Sequence, residues 1–136
     1  MRLALRQVVA LLALALLPAF ATGLWHPRRP AWQSDEVTLA TALGWGPSVL
    51  WIDARPDADF ARAHIPNAVS LNEDRWEDLL PGVLDRWDAS HKIVVYCSSL
   101  SCQASHDVAR RLRDDAGLPN VFVLEGGWEA WAKRDR

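Results

Sequence analysis

Cys97 and Cys102 are the only cysteines in the 136-residue chain, and their side chains are the ones best suited to covalent chemistry. Only the thiolate attacks a sulfur or carbonyl centre, and a free cysteine ionises with a pKa of about 8.5. The N-terminus of a helix favours the thiolate through its unpaired N–H groups and partial positive charge. Cys97 stands between an apolar run and a helical pattern, so it is either a nucleophile or a small buried apolar residue.

The loop that follows Cys97 is short and rich in serine. Backbone amides of such a loop can curl around a sulfur atom and bind an anion above it. The loop residues predicted to contact a substrate are Ser98, Ser99, Leu100 and Ser101.

Short apolar runs alternate with helical patterns along the chain. Strands are predicted at residues 49–53, 68–71, 93–96 and 121–124, with a fifth beginning near Val37. Helices are predicted around residues 39–43, 57–63, 76–80, 101–116 and 127–131, the third closed by Pro81-Gly82. This alternation indicates an α/β domain with a mostly parallel sheet. Ligands gather at the carboxyl ends of strands in such sheets, which is where Cys97 stands.

The N-terminus has the pattern of an export segment. Arg2 and Arg6 precede an apolar run at residues 8–17, and Pro18 and the sequence Ala-Phe-Ala at 19–21 follow. Residues 1–21 are therefore predicted to be a signal peptide or, if uncleaved, a membrane anchor. Residues 22–34 form a proline- and arginine-containing linker, and residues 35–134 form the domain. Either interpretation exports the domain to a periplasmic or other extracytoplasmic compartment, where disulfides persist.

The charge of the chain is mildly negative. Its formal net charge is −2, and removal of Arg2 and Arg6 with residues 1–21, which contain no acid, changes this to −4. A nucleic-acid partner is not expected, because such partners need a basic face.

Three ordered motifs resemble those of the rhodanese-like domain family. They are WIDARPDADFARAHIPNAVSL (51–71), VVYCSS (94–99) and NVFVLEGGWEAW (120–131). The resemblance implies a three-layer domain with a central, mostly parallel five-stranded sheet flanked by helices. It also implies transfer of sulfane sulfur through a cysteine persulfide, with no cofactor.

The same motifs imply roles for individual residues. Cys97 matches the nucleophile that forms the persulfide, and Asp53, Arg55 and His64 match the first motif. We interpret Arg55 as a loop brace or a substrate ligand with Asp53 as its partner. We interpret His64 as a structural support that hydrogen-bonds the backbone, with proton transfer as its alternative role. Gly126 and Gly127 are expected to supply turn geometry.

The loop departs from the family's usual Cys-x-x-Gly-x-Arg-Ser pattern. Leu100 stands at the glycine position and Cys102 at the arginine position, and Ser105 is the suggested counterpart of the serine. No lysine or arginine lies between Cys97 and His106, so little positive charge is offered to thiosulfate. Related phosphatases and arsenate reductases need Cys-x5-Arg to grip a tetrahedral anion, and Gln103 stands at that arginine position.

Cys102 has three possible roles. It can attack a persulfide or sulfenate on Cys97 and close a disulfide, it can form a passive disulfide, or it can be an unpaired thiol. A zinc site is not expected, because one Cys-x4-Cys with His91 and His106 lacks a second ligand pair.

The leading hypothesis is an exported sulfurtransferase in which Cys97 and Cys102 are the catalytic residues. Its expected partners are a small sulfur donor and a thiol acceptor, which can be a protein thiol, with membrane attachment possible through the N-terminus. The alternatives are a thiol–disulfide redox protein that uses Cys97 and Cys102, and a non-catalytic binding module.

Overall fold

A single parallel sheet forms the centre of the part of the chain that the computed structural model describes, residues 35–98 and 103–134. The strand order is β1-β5-β4-β2-β3, and every neighbouring pair is parallel. The strands lie at Glu36–Val37 (β1), Val49–Asp53 (β2), Val69–Ser70 (β3), Lys92–Tyr96 (β4) and Val121–Leu124 (β5). All five carboxyl ends therefore meet at one edge of the sheet, which we call the carboxyl edge.

Four α-helices of the described residues connect these strands, and a fifth follows β5. They lie at Leu39–Gly44 (α1), Asp57–Arg62 (α2), Trp76–Leu84 (α3), Gln103–Asp114 (α4) and Gly127–Lys133 (α5). Two 3-10 turns lie at Gly46–Ser48 and Glu73–Arg75. A parallel pair of strands requires a crossover, and the helices supply it.

Helices cover both faces of the sheet, which explains why its strands are apolar at almost every position. On one face, Ile93 and Val95 pack with residues of α3 and α4 that include Val83 and Leu112. On the other face, Val94 and Tyr96 pack with α1 and α5. Successive strand residues point to opposite faces, so a strand buried on both sides has no polar alternation. The three-layer α/β fold with a five-stranded parallel sheet is thus confirmed.

The predicted end of the third helix is wrong. Pro81 lies inside α3, which continues to Leu84, instead of ending it. Pro81 cannot donate a backbone hydrogen bond to Glu77, but both residues are exposed, so water can satisfy the free carbonyl. The added turn buries Val83 completely in the core, which offsets the cost of the missing hydrogen bond.

The predicted export segment lies outside the described residues. The chain divides into two units, Met1–Gln33 and Ser34–Arg136, and every described residue belongs to the second. None of the described helices is long and apolar enough to span a bilayer. The signal or anchor at 1–21, the linker at 22–34 and the domain limits at 35–134 stay predictions.

Candidate active site at the carboxyl edge

Cys97 directly follows the central strand β4, at the carboxyl edge. The strand is buried on both faces, and Cys97 itself is 5% exposed. Its sulfur belongs to a disulfide in this structure, and Cys102 is the other cysteine of the chain. Cys102 lies outside the described residues, as do Ser99, Leu100 and Ser101. Ser98 is described and is exposed next to Cys97.

The first amides of α5 hold the backbone at Cys97. The Trp128 N–H donates to the Cys97 carbonyl at 2.7 Å, and the Glu129 N–H donates to the Ser98 carbonyl at 3.2 Å. A Cβ on Gly127 would overlap the Cys97 carbonyl oxygen, and the φ of Gly127 is +52°. Glycine is therefore required here both for its backbone conformation and for the close approach of α5.

Arg55 and Asp53 form a buried ion pair beside this loop. Asp53 ends β2 and is fully buried, and Arg55 is 4% exposed. The Arg55 side chain donates to both Asp53 oxygens, through Nε at 2.9 and 3.2 Å and through Nη2 at 2.6 Å. Burial lowers the pKa of Arg55, but the hydrogen bonds and charge of Asp53 outweigh it, so the pKa is raised. Arg55 therefore stays a cation inside the fold.

Arg55 also joins the segment after β2 to α5. Its Nη2 donates to the Ala63 carbonyl at 2.7 Å. The centre of its guanidinium lies 4.6 Å from the ring centroid of Trp128, a distance at which a cation is attracted to an aromatic face. These contacts are those of a brace, and a direct contact between Arg55 and a substrate stays a prediction.

Tyr96 connects the same network to the loop that carries the histidine-isoleucine-proline motif. Its ring lies 5.6 Å from the Arg55 guanidinium, and its hydroxyl accepts from the Ile65 N–H at 3.1 Å. Burial raises the pKa of Tyr96, and the nearby Asp53 carboxylate adds to the effect. Tyr96 is therefore a neutral hydrogen-bonding side chain at physiological pH.

His64 makes a local contact instead of facing Cys97. Its Nδ1 donates to the Phe60 carbonyl at 2.9 Å, and its ring stacks on the Phe60 ring with centroids 4.1 Å apart. The hydrogen bond links His64 to the last turn of α2, the kind of backbone contact expected of a structural support. A catalytic contribution of His64 stays untested.

Two polar residues of α4 lie on the segment after the loop. Ser105 is buried, at 4% exposure. The His106 Nε2 lies 3.2 Å from an oxygen of Glu36, on the neighbouring edge strand β1. Among the residues that the structure describes, no cluster of three or more histidine, cysteine or acidic side chains is arranged to hold a metal ion.

Trp128 and Tyr96 also contribute to this site, although neither is among the predicted site residues. They were predicted only as members of a strand and a helix, yet Trp128 supplies a backbone donor and a ring to the site, and Tyr96 supplies a hydroxyl. The pattern Gly-Gly-Trp at the start of a helix was the available signal, because two adjacent glycines at a strand–helix junction indicate close backbone approach.

Comparison with known proteins places this geometry in a family. The model of the rhodanese-like domain matches residues 37–134. A tRNA uridine(34) hydroxylase from Erwinia tasmaniensis is 30% identical over 93 residues, 66% of this chain and 25% of the relative. One from Yersinia enterocolitica is 30% identical over 91 residues, 65% of this chain and 25% of the relative. The chain thus spans about a quarter of the length of these curated relatives.

Solved structures agree on the fold. A protein from Bacillus halodurans has a TM-score of 0.61 at 24% identity, with 75% of this chain and 74% of that chain covered. A rhodanese-like domain protein from Staphylococcus aureus has a TM-score of 0.53 at 25% identity, with 71% and 89% covered. With the family model matching most of its length, this chain belongs to the rhodanese-like domain family.

Proposed function

We propose that the reduced chain is a sulfurtransferase that carries sulfane sulfur as a persulfide on Cys97. The observation that supports this most is the position of Cys97 at the carboxyl end of the central strand, with its carbonyl held by the Trp128 N–H at 2.7 Å. A backbone held from β4 and α5 together fixes where the sulfur stands, and fixed geometry is what a positioned nucleophile requires.

The proposed reaction has two displacement steps. In the first, the Cys97 thiolate attacks the outer sulfur of a donor, R–S–SH or thiosulfate, and the donor's S–S bond breaks. The leaving group is R–S⁻ or sulfite, and Cys97 becomes Cys97–S–SH. In the second, an acceptor thiolate attacks the outer sulfur and becomes a persulfide, and the Cys97 thiolate is restored. No external electrons are consumed.

A thiol–disulfide function is a second candidate, because Cys97 is disulfide-bonded in this structure. A sulfur in a disulfide is not nucleophilic, so Cys97 can take up sulfane sulfur only after a reductant has cleaved the disulfide to free its thiolate. The alternative reaction is exchange: a substrate dithiol is oxidised to its disulfide while the Cys97 disulfide is reduced to two thiols.

One turnover assay separates the two candidates. The reduced full chain is incubated with glutathione persulfide or thiosulfate and excess dithiothreitol, and sulfide release is followed. We expect release above the protein-free rate that is abolished in Cys97→Ser and retained in Cys102→Ser, because only Cys97 carries the transferred sulfur. Catalysed disulfide exchange on a peptide substrate, lost in both variants, with no sulfide release, would instead establish the redox function.

The tRNA hydroxylases that resemble part of this chain do not change the proposed substrate class. We do not propose a tRNA substrate, because the chain has a net charge of −2 and spans about a quarter of the length of those relatives.

The predicted export fits the redox chemistry, because a disulfide at Cys97 persists in an oxidising compartment. A mature N-terminus at Thr22, read by N-terminal sequencing, supports signal cleavage, and an intact Met1 on membranes supports the anchor.

A further inference from the structure

Glu125 follows β5 directly, as Cys97 follows the neighbouring strand β4, at the carboxyl edge. In the register of β4 and β5, Val95 is opposite Val123, so Cys97 and Glu125 each follow a paired residue by two positions. Neighbouring strands are about 4.8 Å apart, so the two backbones lie close together. The Glu125 N–H still donates to the Val37 carbonyl at 2.9 Å, which shows that Glu125 continues the ladder to β1.

Cys97 and Glu125 each stand one residue past the end of their strand, and the alternation of the two strands, extended by that residue, assigns both side chains to the same face of the sheet. Val95 and Val123 both pack in the core cluster beneath α3 and α4. Because side chains alternate along a strand, residues two positions further on return to that face. Glu125 is exposed, and its carboxylate has no ion-pair or hydrogen-bond partner among the described residues. A molecule that approaches Cys97 along this edge therefore passes an acidic side chain that no described residue pairs.

The arginines of the segments after β2 and β3 are already paired with acids. In the segments after β2 and β3, Arg55 is held by Asp53 at 2.6 Å and Arg75 by Asp57 at 2.7 Å. The His106 side chain is also paired, because its Nε2 lies 3.2 Å from an oxygen of Glu36 on the edge strand β1. The sequence between Cys97 and His106 contains no lysine or arginine.

We propose that Glu125 is a specificity-determining residue that disfavours dianionic donors and directs the site towards persulfides with a neutral or cationic carrier. This inference rests on the proposed sulfurtransferase function and names its substrate class. The physical effect is Coulomb repulsion of the incoming donor, which falls with ionic strength because the exposed carboxylate is screened. A donor such as cysteamine persulfide is accepted, whereas thiosulfate meets the Glu125 charge.

The first test measures charge selection without sulfur transfer. In the full chain with Cys102→Ser and a reduced Cys97, alkylation rates are compared for iodoacetamide and iodoacetate, which differ in charge but react alike. We expect Glu125→Gln to raise the iodoacetate rate relative to iodoacetamide about threefold, and Glu125→Lys about tenfold, with both gains reduced at high salt.

Asp114→Asn is the matched control, because Asp114 is an exposed acid at the other end of α4 and the substitution changes net charge equally. An unchanged rate ratio in Glu125→Gln, or an equal change in Asp114→Asn, overturns the inference.

The second test measures kcat/KM for thiosulfate and cysteamine persulfide. A shift of the ratio towards thiosulfate in Glu125→Gln supports the inference, and an unchanged ratio overturns it. If alkylation shows the selection but neither donor loads Cys97, the sulfurtransferase function fails and the substrate preference fails with it, although the repulsion by Glu125 stands.

Discussion

At the scale of single residues, the Asp53–Arg55 pair shows how a buried charge is tolerated. Both side chains are almost inaccessible, and the guanidinium donates to both carboxylate oxygens and to the Ala63 carbonyl. Such a pair need not be more stable than an apolar one, but removal of one partner leaves an uncompensated buried charge. The pair helps to position the site, because it holds the Arg55 guanidinium against Trp128, next to the Cys97 loop.

Replacement of Asp53 by asparagine is expected to lower the free energy of unfolding by about 3 kcal/mol, because Arg55 then stays buried without a counter-charge. Urea unfolding measures the loss. The control is Glu129→Gln, which removes the exposed pair with Lys133 and is expected to cost about 0–1 kcal/mol. Equal losses in the two variants would show that the buried pair has no special role.

The sequence predicted this pair but not its neighbours. An aspartate at a strand end and an arginine two positions later are close in any conformation, so Asp53 and Arg55 could be assigned locally. Trp128 reaches Arg55 only through the fold, from a segment more than seventy positions later. Contacts of this kind depend on strand order and register, which one sequence does not contain.

At the scale of elements, α5 and the loop after β4 are held together by backbone contacts. Two amides of α5 donate to the carbonyls of Cys97 and Ser98, and Gly127 has no room for a side chain. The position of the sulfur therefore depends on a helix that is distant in sequence. The apolar pattern predicted the locations of the strands and helices. Pro81 was wrongly predicted to end α3, because the exposure that lets water satisfy the Glu77 carbonyl cannot be determined from the local sequence.

Gly127→Ala is expected to displace the Cys97 backbone, because its Cβ would overlap the Cys97 carbonyl and its φ is left-handed. The rate of sulfur transfer should fall at least about tenfold, since misplacement of a reacting group by about 1 Å can cost a hundredfold. The sulfide-release assay measures this change.

Gly82→Ala is the matched control, because Gly82 lies inside α3 with no atom within 4 Å of an added Cβ. Alanine there should leave transfer unchanged and stabilise the helix by about 0.5–1 kcal/mol. Full sulfur transfer by a folded Gly127→Ala protein would show that α5 does not position Cys97.

At the scale of the whole molecule, one sheet brings together residues from three segments of the chain. Asp53 and Arg55, Tyr96 and Cys97, and Gly127 and Trp128 all lie at or next to its carboxyl edge, with Glu125 at the end of β5. This edge could be predicted from the sequence, because the carboxyl ends of the strands of a parallel α/β sheet lie together and ligands bind there. The state of Cys97 was left open, because a pattern of two cysteines fits a disulfide, a resolving pair and free thiols equally.

The central claim is that Cys97 accepts and carries one sulfur atom, and intact mass spectrometry tests it most directly. The full chain is reduced, freed of reductant, incubated with a persulfide donor and weighed. We predict a mass gain of one sulfur atom that is removed by cyanide, is absent in Cys97→Ser and persists in Cys102→Ser. An unchanged mass in the reduced, folded protein, or an added sulfur that remains in Cys97→Ser, would contradict it.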